Sequence, residues 1–146
     1  MEQKIDSLIK NWQKRNILGF HCDTKEQAAD KILEIIPQTV TVGISGSVTL
    51  DELGIVRLLQ GRHTKVFNQY KPGITREESL ELRRQGSLAD YYLVSANAIS
   101  EKGELVFFSG YGNRTAGVSY AKNLIVVCGI NKITANLDEA LKRARE

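Results

Sequence analysis

Residues 94–132 read VSANAISEKGELVFFSGYGNRTAGVSYAKNLIVVCGINK. Three short polar signatures sit in this stretch: Ser95-Ala96-Asn97-Ala98, Gly110-Tyr111-Gly112-Asn113-Arg114 and Gly129-Ile130-Asn131-Lys132. Apolar, β-prone runs separate them. Residues 90–95 (DYYLVS) form a strand, 105–108 (LVFF) form another after the turn signal Glu101-Lys102-Gly103-Glu104, and 124–128 (LIVVC) is an apolar strand throughout. An uninterrupted apolar run reads as a strand covered on both faces. Small residues beside Asn, Arg and Lys at strand ends mark a pocket for an anionic or oxygen-rich ligand.

Downstream, Asn136 caps a final helix with Glu139 at its third position, and Lys142, Arg143 and Arg145 suit the negative end of its dipole. Upstream, Ile5, Leu8, Ile9 and Trp12 recur with helical period over 2–16. Thr24-Lys25-Glu26-Gln27, Thr49-Leu50-Asp51-Glu52 and Thr75-Arg76-Glu77-Glu78 each read as a capping box opening a helix, the second of these running through Leu59. The β-branched run 39–44 and the segment 65–70 are strands between them. Strands alternating with helices predict a largely parallel α/β sheet covered on both faces, with an antiparallel hairpin added near 94–110. A single domain over 1–146 is expected, with N-terminal helices over 1–36 and the core over 39–146.

The chain has 146 residues, 42% hydrophobic and 25% charged, which is ordinary for a globular protein. A formal charge of +3 is too weak to argue for nucleic acid. Cys22 and Cys128 make no CxxC pair, and His21 and His63 are not spaced for zinc. Cys128 is expected in the core, and His21-Cys22 reads as a surface pair sooner than as a nucleophile and its base. The N-terminus is amphipathic and charged, unlike a signal peptide, and no apolar run approaches the roughly 20 residues of a membrane span. The expectation is a cytoplasmic protein.

Three loops could carry chemistry. In the first, Ser45, Gly46, Ser47 and Thr49 lie between a strand end and a helix start, where hydroxyls and free N–H groups receive an anion. Equally, Ser47 or Thr49 simply caps the helix. In the second, Gly110, Gly112, Asn113 and Arg114 resemble a dinucleotide fingerprint, but Thr115 and Asn131 stand where a Gly and an acidic residue belong, which argues against NAD. Arg114 has the planar fork to clamp a carboxylate or phosphate; the other reading is a turn whose Arg meets a carboxylate of the fold. The third set is Asn97, which shares a strand face with Ser95, together with Asn131 and Lys132. These either touch ligand or tie loops together. Glu101 and Glu104 read as turn carboxylates, with an acid–base role as the rarer reading. The pair Arg83-Arg84 reads as a solvated helix end. No cofactor is named by these residues.

Taken in order, GSVTLDELG, SANAISEKGELV, GYGNRTAG and VVCGINKITANLDEALKRARE resemble the LUD domain family, the lactate-utilisation domain of LutC-type proteins. That resemblance implies a three-layer α/β/α sandwich with a mostly parallel mixed sheet, of the sugar-phosphate isomerase and CoA-transferase group (NagB/RpiA/CoA-transferase-like). It implies a role in L-lactate oxidation beside iron–sulfur partner subunits, as a metabolite-binding or accessory component. The implied partners are a small anionic metabolite, those iron–sulfur subunits and a second copy in a homo-oligomer, without nucleic acid or membrane. The rivals are an assembly subunit with structural loops and a transferase- or isomerase-like enzyme. The sequence departs from the family at Ser100-Glu101-Lys102-Gly103, where Thr, an acid, Asp and Gly are usual, and it stops at Glu146 where many relatives continue. Electron transfer that depended on such a tail would be expected to need another subunit.

Overall fold

A computed structural model describes residues 2–146. The elements run α1 (Glu2–Gln13), α2 (Lys25–Ile35), β1 (Thr41–Ile44), α3 (Val48–Leu53), α4 (Ile55–Gly61), β2 (Lys65–Phe67) and α5 (Arg76–Ser87). Then come β3 (Tyr91–Val94), β4 (Ala98–Ser100), β5 (Leu105–Val106), α6 (Asn113–Tyr120), β6 (Asn123–Val126), β7 (Ile133–Thr134) and α7 (Leu137–Arg145). They divide into two compact units. The larger holds residues 24–95 and 109–127; the smaller holds the residues up to Asp23 with 96–108 and 128–146.

In the larger unit four parallel strands form one sheet in the order β2-β1-β3-β6. Val42 pairs with Val66 and with Tyr91, and Tyr92 with Leu124. Alternation along each strand divides the faces. Val42, Ile44 and Leu93 point into a core with Ile32 and Ile36 near α2, Leu50 of α3, and Ile55 and Leu59 of α4. On the other face Gly43 meets Gly86 of α5, and Tyr92 meets Gly117 of α6. Helices thus cover both faces of a parallel sheet, giving three α/β/α layers within this unit.

Local chemistry explains most helix starts. Thr75 Oγ1 accepts from Glu78 N–H while Glu78 reaches back to Thr75 N–H, the complete reciprocal box. Thr24 accepts from Gln27 N–H, and Asn136 from Glu139 N–H. The cap of α3 is Ser47, accepting from Leu50 N–H at 3.3 Å, and the predicted box at Thr49–Glu52 does not form. Gly54 enters the left-handed region (φ 61°) and breaks the predicted helix through Leu59 into α3 and α4. At the end of α2, Arg62 donates to the carbonyls of Leu33 (2.7 Å) and Ile36, and to Thr64 Oγ1. A cation there meets the orphan carbonyls and the negative end of the dipole.

Asp90 fastens the other end of the sheet. Its Oδ2 accepts from Thr41 N–H and Oγ1–H, both at 2.9 Å, and its own N–H donates to Thr41 Oγ1 at 3.0 Å. These bonds, the Thr41 N–H foremost, hold the Asp90 carboxyl below its ordinary 3.8. A depressed folded value stabilises the fold above the ordinary carboxylate range, and that stability is lost as pH falls through the folded value. Asp90→Asn should therefore lower Tm at pH 7 and flatten the acid limb of a Tm-versus-pH curve below about pH 4, relative to wild type. An unchanged acid limb in the variant would contradict this.

In the smaller unit β4 pairs antiparallel with β5 and parallel with β7. The 94–110 hairpin thus belongs to a second small sheet instead of extending the parallel one. Ala98, Val106 and Ala140 of α7 form its core. Gly103 (φ 100°) makes the hairpin turn, and α1 clamps it: Trp12 Nε1–H donates to Gly103 O at 3.1 Å, Asn11 to Glu101 O at 3.0 Å, and Arg15 to Lys102 O. Lys4 lies 2.7 Å from Glu101, and Arg15 3.6 Å from Glu104. Among the described residues no helix is long and apolar enough to cross a membrane.

Candidate functional site

The loop after β1 leaves the sheet through Ser45, whose N–H donates to Leu93 O at 3.0 Å. Ser45 is 3% exposed, and its hydroxyl has no hydrogen-bond partner among the described residues. At Gly46 a Cβ would stand 3.1 Å from Tyr70 Cζ and closer still to its hydroxyl, so only glycine lets Tyr70 cover the loop. The Gly46 carbonyl accepts from Arg114 Nη2 at 2.6 Å. Ser47 is engaged as the α3 cap, and Thr49 lies half-buried in the first turn.

Arg83 joins this group although the sequence reads it as a solvated helix end. Ser79, Arg83 and Gly86 lie at i, i+4 and i+7 on α5, one helical face, and Gly86 packs against β1. The Arg83 guanidinium sits 4.4 Å from the Tyr111 ring centroid and 5.5 Å from that of Tyr70. It donates to Ser79 Oγ, and its Nε is buried with no partner among the described residues. No carboxylate among the described residues lies within ion-pair distance of it. Gly46, Tyr70, Arg83 and Tyr111 thus form a chain of contacts beyond the carboxyl ends of β1 and β2, and Arg114 returns it to Gly46. The spacing of Ser79, Arg83 and Gly86 was the available signal; only knowledge that Gly86 faces the sheet gives it meaning.

Gly112 takes the left-handed region (φ 80°) as the residue before α6 and has no side chain with which to cap that helix. A Cβ on Gly110 would meet nothing within 4 Å among the described residues. Arg114 N–H donates to Ser109 Oγ at 3.2 Å. Asn113 faces the sheet: Tyr92 Oη–H donates to its carbonyl at 3.2 Å, and its Nδ2 lies 3.4 Å from that hydroxyl. Burial, reinforced by Tyr70 and opposed by Arg114, pushes the Tyr92 phenol up to about 12. Tyr92 is therefore a neutral donor near pH 7 and not a base. The chemistry here is donors and positive charge. An open groove beside α5, lined by Lys71, Glu77, Glu78 and Glu81 among others, is acidic and includes none of these groups.

Of the eleven residues singled out in the sequence, eight lie in the larger unit, and Asn97, Asn131 and Lys132 lie in the smaller. Asn97 is outside any strand, so strand alternation with Ser95 does not apply. Asn97 Oδ1 accepts from Phe108 N–H at 2.9 Å, and its carbonyl from Arg143 Nη1 at 2.9 Å. Asn131 accepts from Arg143 Nε through its carbonyl. Lys132 Nζ donates to Ala96 O at 2.8 Å. The Asn97 and Lys132 side chains thus bond to main chain within the unit, and Asn131 offers its main-chain carbonyl to Arg143. Cys128 is half-buried and not in the core, its Sγ 3.2 Å from the Ala96 N–H that donates to it. The Ser100 hydroxyl donates to Glu104, and this bond holds the Glu104 carboxyl below its usual range. Among the described residues no group of three His, Cys, Asp or Glu side chains is placed to hold a metal ion.

The sequence model of one family, described as the LUD domain, matches residues 5–146. No curated protein and no solved structure matches the chain.

Proposed function

The chain belongs to the LUD domain family, a family tied to lactate utilisation, and from that premise we propose that its larger unit binds a small oxyanion, a carboxylate or a phosphate. In this reading the protein is a metabolite-binding component of organic-acid metabolism. One observation carries it: two buried donors, Ser45 Oγ–H and Arg83 Nε–H, have no acceptor among the described residues. Buried donors are nearly always paired, and leaving one unpaired costs about 1–3 kcal/mol. An oxyanion supplies the acceptors. Arg83 and Arg114 supply positive charge, and neither the Gly46 loop nor the α6 start adds a carboxylate to oppose it.

Calorimetric titration with sodium phosphate and sodium L-lactate at low ionic strength tests the reading. Wild type should bind one of them, and Arg83→Gln should weaken that binding roughly 10–150-fold, the equivalent of one charge-assisted hydrogen bond. The same variant should still unfold cooperatively, with a Tm loss of roughly 3–14 °C, since it gives up two cation–π contacts and a bond to Ser79. No binding by wild type removes the proposal.

A second reading is favoured for the smaller unit. There the Asn97 and Lys132 side chains bond to main chain, and the Asn131 carbonyl accepts from Arg143, as loop struts of an assembly subunit would. Iron–sulfur partner subunits of a lactate-oxidising complex are the partners this reading implies.

A further inference from the structure

We infer that Gln69 is a specificity-determining residue, admitting only oxyanions that carry a hydroxyl beside their charged oxygens. This rests on the oxyanion reading above and narrows it to a ligand class. Gln69 follows β2 and is 4% exposed. Its amide has one orientation, because Nε2–H donates to Ile44 O at 2.7 Å, at the end of β1 and next to Ser45. Oε1 is therefore the remaining atom, and it is buried with no partner among the described residues. The Gln69 main-chain carbonyl accepts from Ser79 Oγ–H at 3.1 Å, and Ser79 Oγ in turn accepts from Arg83. Gln69 thus lies beside both other partnerless groups: its side chain bonds to the carbonyl of Ile44, the residue before Ser45, and its main chain to Ser79, which holds Arg83.

Their hydrogen-bonding characters differ. Arg83 Nε–H can only donate, Ser45 Oγ–H can donate or accept, and an amide oxygen can only accept. A bare carboxylate or sulfate satisfies the donors and leaves Gln69 Oε1 facing another lone pair. An oxyanion with an attached O–H satisfies all three groups. A site built around a ligand hydroxyl discriminates strongly against the analogue lacking it, since a buried group is then left unpaired. Hydrogenphosphate and 2-hydroxycarboxylates share this chemistry.

Two matched pairs, titrated calorimetrically into the wild-type chain at neutral pH, test the inference. Inorganic phosphate and sulfate are both tetrahedral oxyanions of similar size, but every form of phosphate near neutrality keeps a P–OH and sulfate has none. Glycolate and acetate differ in the same way at carbon. The expected result is that the hydroxyl-bearing member of at least one pair binds about 10–100-fold tighter. Phosphate selectivity identifies a phosphate site, and glycolate selectivity a hydroxycarboxylate site. Gln69→Leu should bring the ratio close to unity. If that variant fails to fold, for want of the bond to Ile44, the wild-type ratios still decide. Equal binding within both pairs, or tighter sulfate or acetate, overturns the role of Gln69 and leaves the oxyanion site standing. Binding of none of the four overturns both.

Discussion

Gly43→Ala should abolish the cooperative thermal transition, while Gly86→Ala, its partner across the same contact, should change Tm by only a few degrees. A Cβ on Gly43 would stand 2.7 Å from Gly86 Cα and closer still to the Gly86 carbonyl. Those are backbone atoms of α5, which cannot rotate away as a side chain can. The helix would have to lift off the central strand β1, disturbing the packing of α5 on β1 and β2 and the placement of Ser79 and Arg83. Forcing atoms into a packed interior costs about 1–3 kcal/mol when side chains can adjust. Displacing a whole helix should exceed that and consume much of the roughly 5–15 kcal/mol that keeps a domain folded. From Gly86 the geometry is milder: a Cβ would meet Gly43 Cα at 3.3 Å and Phe67 Cβ at 3.5 Å. That crowding is offset by the gain of about 1 kcal/mol when alanine replaces glycine inside a helix. Differential scanning fluorimetry of the two variants checks the asymmetry, and equal Tm losses would refute it.

Gly117→Ala is expected to cost about 2–4 kcal/mol and to weaken oxyanion binding as well. The new methyl would stand 2.5 Å from Tyr92 Cδ1 and Cζ, and Tyr92 is 1% exposed. The ring lies under α6, and its hydroxyl is tied to Asn113 at the start of that helix. Pushing α6 outward moves Asn113, Arg114 and the Tyr111 loop together. Tyr92→Leu in the same chain should recover stability by making room for the methyl, giving a coupling of more than about 1 kcal/mol in a double-mutant cycle. It should not recover binding, because the bond that locates Asn113 is gone. Chemical denaturation measures the first part and titration with phosphate and L-lactate the second. Additive losses would mean that ring and helix do not compete for space.

The legible features are those closed by local bonds. The Thr75–Glu78 box and the Asn136–Glu139 cap form within three residues of chain, so a tetrapeptide is enough to read them. Alternation of β-branched runs with helical periods likewise announces a parallel sheet, because each pattern reports which faces are covered. Where two local signals overlap, sequence loses its grip. Ser47 and Thr49 both precede a helical pattern, and the choice falls to Ser47, which starts the helix early enough to bury Leu50 in the core. The two-residue strand β7 carries too little pattern to be seen, and it exists because β4 offers it an edge.

The same division runs through the candidate site. Ser45, Gly46 and Arg114 stand out in the sequence because small residues and a cation at strand ends are unusual in themselves. Gln69 and Arg83 do not stand out, since a glutamine after a short strand and an arginine on a charged helix are commonplace. Their meaning comes from Gly43 and Gly86, which bring α5 against β1 and carry Ser79 and Arg83 with it, and from Ile44 O, which orients the Gln69 amide. By itself, then, the sequence determined the alternation of strands and helices, the caps and the family, all written in short-range periodicity and motif order. Only the tertiary structure decided which polar groups are buried without partners, because burial and pairing depend on residues as far as 25 and 68 positions apart in the chain.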